Sequence, residues 1–209
     1  MTVVSTLAVT SIALFAGLTA ANAADKEPRF APGPATSYTA RQTLNNVTVA
    51  AVPYTSEDQV RSAFGKLDPN KYGILPLLVV IQNDGKQAIR LDGIKIEYIT
   101  PGGTHIDATP AKDVPYVSGN IRQPRIENSP LPTGSPRVSR KKNPLAGGQI
   151  DIRAFSARML PPGEQASGFF YFQTLNRLGS KVYLTGLREA PSETELFYFE
   201  IPLTNNGSQ

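Results

Sequence analysis

The pattern of apolar and polar positions organises around residues 73–99, GILPLLVVIQNDGKQAIRLDGIKIEYI. Residues 75–81 form an apolar run too short for a buried helix and rich in branched side chains, which predicts a core strand. Asn83-Asp84-Gly85 then predicts a reversal, because Asn and Asp tolerate turn geometry and Gly accepts positive φ. Beyond it, Ile89 and Leu91, then Ile94, Ile96 and Tyr98, alternate with Arg90, Lys95 and Glu97, so the apolar set shares one face. The pattern predicts a β-hairpin, with a bulge at Asp92-Gly93 where the register shifts.

The same reading along the rest of the chain predicts strands at 47–52, 104–109, 149–155, 168–174, 181–187 and 194–203, with separators rich in Pro, Gly, Asn and Ser. One helix stands among them. Ser56-Glu57-Asp58-Gln59 has the form of a capping box, with Val60, Ala63 and Phe64 at helical spacing and Gly65 as the stop. Asp68-Pro69-Asn70-Lys71-Tyr72-Gly73 resembles the start of a calcium loop, yet Tyr72 fills a ligand position and Val79 stands where the bidentate Glu is required. It is read as a turn. The sum is an all-β fold, an antiparallel β-sandwich of about 7–8 strands with one short helix.

Residues 1–24 carry no charged side chain, and the apolar run 6–21 ends in Ala21-Asn22-Ala23, a small-x-small cleavage pattern. This predicts a signal-peptide helix over 1–23 and a periplasmic or secreted mature chain, the alternative being an uncleaved N-terminal membrane anchor. Residues 24–44 are expected as an extended leader, with the sandwich over 45–204 and a tail at 205–209. The chain has no cysteine, so neither a disulfide framework nor an acylated cysteine is available to it. Stability must come from an ordinary core.

The strand LPLLVVIQN and the turn PPGE before the aromatic run GFFYFQ are similar to those of bacterial secreted immunoglobulin-like domains, over residues 45–203. The resemblance implies an immunoglobulin-like sandwich and an envelope setting, and it supplies no catalytic residues.

Composition limits the chemistry. With one histidine and no cysteine, a nucleophile-base pair must use His105, which Asp107 on the same predicted face would orient. No nucleophile elbow accompanies it, and a surface imidazole beside a carboxylate is the plainer expectation. No metal-ligand spacing, phosphate loop or cofactor motif is present in the sequence. Glu193 and Glu195 lie in a Pro-Ser-Glu-Thr-Glu turn and read as solvated charges. The expected function is therefore non-enzymatic binding or structural support in the cell envelope, with a hydrolase using His105 as the alternative.

Two surfaces are candidates for contact. Residues 118–148 form a Pro-rich insertion carrying Arg122, Arg125, Arg137, Arg140, Lys141 and Lys142 against Glu127 alone, a net of 6 − 1 = +5 in a chain whose total is +4. Such a cluster suits an anionic envelope component, such as a lipid headgroup, lipopolysaccharide or glycan, or an acidic protein. Nucleic acid is disfavoured, since the segment holds no aromatic residue for stacking. The second surface is aromatic. Alternation sends Phe170, Phe172, Val182, Leu184, Phe197, Phe199 and Ile201 inward and leaves Phe169, Tyr171, Tyr183, Leu196 and Tyr198 on an outer face. That face needs a cover, expected to be the chain's own helix or leader, with a homodimer through Phe169, Tyr171, Tyr183 and Tyr198 as the alternative.

Overall fold

The computed structural model describes residues 30–117 and 143–203. Over them the chain forms eleven strands: β1 (Arg41–Leu44), β2 (Val47–Pro53), β3 (Leu75–Asn83), β4 (Ile89–Arg90), β5 (Lys95–Ile99), β6 (His105–Asp107), β7 (Met159–Leu160), β8 (Gln165–Phe172), β9 (Lys181–Thr185), β10 (Arg188–Glu189) and β11 (Phe199–Pro202). Three short helices accompany them, α1 (Glu57–Phe64), α2 (Val114–Val117) and α3 (Gln149–Arg153). Eight strands make two four-stranded antiparallel sheets, β1-β2-β3-β8 and β11-β9-β5-β6, and the two-residue strands form a small third sheet, β10-β4-β7. The all-β sandwich read from the sequence is the observed fold.

The first sheet lies in the middle of three layers. Val49, Ala51, Leu77, Val79 and Ile81 point into the sandwich, against Tyr98, Val182, Leu184 and Phe199 of the second sheet. Ala50, Val52, Leu78 and Val80 point the other way, into a second core with Val60, Phe64, Val114, Leu145 and Ile150. Burial on both faces is why LPLLVVI is continuously apolar instead of alternating.

The helix α1 forms as its sequence predicts. Ser56 and Gln59 make the reciprocal capping box, Glu57 and Asp58 occupy the first turn, and the Gly65 N–H closes the helix on the Arg61 carbonyl. Val60, Ala63 and Phe64 face the middle sheet. Replacing Ser56 with Ala removes one half of the box and is expected to cost about 1 kcal/mol in chemical denaturation. An unchanged denaturation midpoint would show that neighbouring contacts, not the cap, fix this turn.

Several expectations are corrected. The 73–99 hairpin does not pair with itself: β3 pairs with β2 and β8, whereas β4 joins β7 and β10, and β5 joins β6 and β9. The turn at Asn83 instead carries the chain from one sheet to the other. Asn83 is fully buried, its Nδ2 donating to the Gln87 and Leu160 carbonyls and its Oδ1 accepting the Gly85 N–H. These bonds stabilise the crossing. Asp92-Gly93 is a turn between β4 and β5, closed by Ile94 N–H on the Leu91 carbonyl, and not a bulge.

Residues 149–155 are not a strand, because Ile150 alone is buried and Ile152 is exposed, the single-sided burial that α3 supplies. From Phe30 onward, the expected leader is also part of the folded body. Ala35 is buried, the Phe30 ring packs edge-on to Tyr54 at 6.0 Å, and β1 pairs with β2 through a turn in which Asn45 and Asn46 adopt positive φ.

Candidate functional site

His105 lies on the edge strand β6, exposed, with its Nδ1 2.5 Å from Glu97 Oε2. Register explains the partner. Glu97 stands directly opposite Asp107 and diagonal to His105, two residues along, so all three share the outer face of the second sheet. The carboxylate that meets the imidazole is therefore Glu97, across the strand, and not Asp107 along it. No hydroxyl is hydrogen-bonded to the His105 ring among the described residues, and no group of three or more His, Cys, Asp or Glu side chains among them is placed to hold a metal ion. The arrangement is an imidazole–carboxylate hydrogen bond on an open sheet face.

Glu193 and Glu195 have separate structural partners. Glu193 Oε1 accepts from Arg90 Nη1 at 2.6 Å, and Glu195 Oε1 accepts the Gly186 N–H at 3.1 Å. Arg90 also binds Asp92, and that hydrogen bond holds the Asp92 carboxyl below the usual carboxylate range. The 68–73 segment is a 3₁₀ turn in which Asp68 caps the Asn70 N–H, which suits its reading as a turn.

A groove of about 380 Å³ opens where β5 and β8 part. Its floor includes Ile96 and the stacked rings of Phe155 and Phe170, 5.3 Å apart, and Lys95, Glu97 and Asp107 stand on its rim. A wider depression of about 1020 Å³ follows α1, where Arg61 pairs with Glu57 and Lys71 with Asp68. Both hold mixed charges without a converging set.

The aromatic face divides in two. Phe169 and Tyr171, at 2% and 1% exposure, belong to the second core, beneath α1, α3 and the residues before β1. Phe169 packs on Phe30, Tyr54 and Phe64, and the Tyr171 hydroxyl donates to the Ile150 carbonyl at 2.8 Å. Burial raises the Tyr171 phenol above its ordinary range, Asp151 adding to the effect, and pushes Tyr54 up to about 12. The chain itself thus covers these two residues, which removes them from any interface. Tyr183 and Tyr198 remain outside, their rings 5.2 Å apart. Leu196 and Phe197 are exchanged relative to expectation: Leu196 is buried and Phe197 is 75% exposed, since regular pairing begins only at Phe199.

The six cationic residues Arg122, Arg125, Arg137, Arg140, Lys141 and Lys142 lie outside the described residues. The two ends of their segment are described, and they are tied together. Asn143 Nδ2 donates to the Pro115 carbonyl at 2.6 Å, with Val114 and Leu145 buried on either side. Leu145 belongs to the second core, so within 118–148 the part beyond Asn143 is anchored.

No family model matches the chain, and no curated protein matches it by sequence. Among solved structures it is similar to ycdA of Bacillus subtilis, described as a candidate lipoprotein, at 11% identity and a TM-score of 0.36, over 78% of this chain and 38% of that one. It is also similar to MPT63, a secreted protein of Mycobacterium tuberculosis, at 10% identity and a TM-score of 0.36, over 80% of this chain and 95% of that one. The chain spans little more than a third of the length of the Bacillus protein.

Proposed function

We propose that this is an exported, non-enzymatic protein of the cell envelope that binds an anionic partner through the basic segment following α2. The observation that carries the reading is the segregation of charge. Residues 118–142 hold +5, so the remaining chain, with 15 cationic and 16 acidic side chains, is at −1. Export is supported by the uncharged run 1–24 and the Ala21-Asn22-Ala23 pattern. Among the described residues no helix is long and apolar enough to cross a membrane. The His105–Glu97 pair does not favour hydrolysis, since an activated nucleophile needs a hydroxyl or thiol within hydrogen-bond reach of the base.

The tied ends make a clean test available. Replacing 118–142 by a short Gly-Ser link preserves Val114, Asn143 and Leu145, and closure entropy changes only logarithmically with length. Stability is expected to move by less than about 2 kcal/mol in urea titration. Salt-sensitive retention on phosphatidylglycerol vesicles or heparin is expected to disappear, because screened Coulomb attraction is what six cations supply. Undiminished retention after the excision would reject the proposal.

A further inference from the structure

We infer that the loop between β8 and β9 is a second contact site, whose partner is the interfacial region of an anionic lipid bilayer. Leu175 and Leu178 on this loop are 60% and 76% exposed. Two features distinguish them from scattered surface leucines.

The first is that the loop is locked at its base. Tyr98, a fully buried side chain of β5, places its Oη 2.7 Å from Ser180 Oγ and 3.2 Å from Asn176 Oδ1, and accepts the Arg177 N–H at 2.9 Å. The Ser180 N–H closes a further turn on the Arg177 carbonyl, and Ser180 is itself buried. A backbone held at both Arg177 and Ser180 keeps the intervening Leu178 outward, so its exposure is a property of the fold. The second feature is the chemistry of the apex. Gly179 lies beside Pro101, which brings the exposed β5–β6 turn, Pro101-Gly102-Gly103, next to the leucines. Across residues 99–104 and 173–180 there is no carboxylate, and the one charged side chain is Arg177, exposed between the leucines. Two apolar side chains beside a cation, on an apex without an acid, match the boundary between acyl chains and anionic headgroups.

The inference rests on the envelope location and anionic partner proposed above, but it concerns a different surface and can fail separately. The chain contains no tryptophan, so Leu178→Trp in the full-length protein is a single fluorescent reporter. With vesicles of phosphatidylglycerol and phosphatidylcholine, its emission is expected to shift to the blue and to be quenched by brominated acyl chains. Pure phosphatidylcholine is expected to give a weaker response. The double variant Leu175→Ser, Leu178→Ser is expected to lose about tenfold in vesicle partition for each leucine while melting as before, since both side chains are exposed.

Vesicle-bound protein with water-like emission, together with unchanged partition of the double variant, would overturn the loop site and leave the basic-segment reading standing. Quenching that persists after excision of 118–142 would support the loop and remove the basic segment instead. Failure of the intact chain to associate with anionic vesicles would overturn the loop site outright. So would a drop in molecular mass of the lipid-free protein on substituting the two leucines, which would assign them to a contact between copies.

Discussion

Val80→Asp is expected to yield no folded protein. Val80 is fully buried at the centre of β3, between Ala50 of β2 and Ser167 of β8, and it faces the second core. The residues buried around it there are aliphatic or aromatic, including Val60, Phe64 and Leu78. A carboxylate at this point must either remain charged without a partner or take up a proton, and either costs several kcal/mol. That is comparable with the whole stability of a domain of this size, about 5–15 kcal/mol. Val80→Ala, which removes only packing, is expected to cost about 2 kcal/mol and remain folded. Circular dichroism and thermal melting of the two variants separate charge burial from cavity formation. A folded Asp variant melting within a few degrees of the parent would show that this face of the middle sheet is wet.

The second large effect is expected at Gly186, where the turn after β9 meets the turn before β5. Its φ is +84°, and a β-carbon there would lie 2.0 Å from the Gly93 carbonyl oxygen and 2.7 Å from its carbon. The obstacle is backbone on a tight turn, so it cannot rotate aside as a side chain would. Gly186→Ala therefore combines left-handed strain with displacement of the 91–94 turn, on the order of 3–5 kcal/mol, or about 10 °C in melting temperature. Gly163→Ala provides the control. It has a similar φ of +75° but nothing within 4 Å of an added β-carbon, so only the conformational term applies, about 1 kcal/mol. Equal losses at the two positions would mean that the approach of the two turns is not a constraint.

What could be read from the sequence was what is decided within a few residues. The Ser56 box lies inside one turn of helix, and the strand at 75–81 announces itself by composition. Partner choice is decided elsewhere. The residues after Asn83 form strands as their alternation predicts, but the buried amide of Asn83 and the competing edge of β8 send them to another sheet. The helix at Ile150 was hidden because isoleucines two apart read as alternation, and only the core beneath shows that one of them is unused. Tyr171 and Tyr198 are equivalent by parity, yet α1 and the residues before β1 cover the first and leave the second open. His105 shows the same limit at the scale of one contact: Asp107 was visible as a neighbour along the chain, whereas Glu97 becomes its partner only through the β5–β6 register. The charge of 118–142 was legible as a sum, and the tether between Asn143 and Pro115 that frames it was not.

The middle sheet also sets the order of assembly. β2 and β3 are adjacent in sequence, but β3 receives its other neighbour, β8, only after the chain has passed through β5 and β6, half of the second sheet. Until that strand arrives, β3 has an unpaired edge as well as two apolar faces, which is the form most prone to pairing with another chain. Its contacts are long-range, so the loop-closure entropy must be overcome before they contribute, and the nascent domain gains little from folding early. Here the architecture itself defers the commitment to fold until the C-terminal half is present.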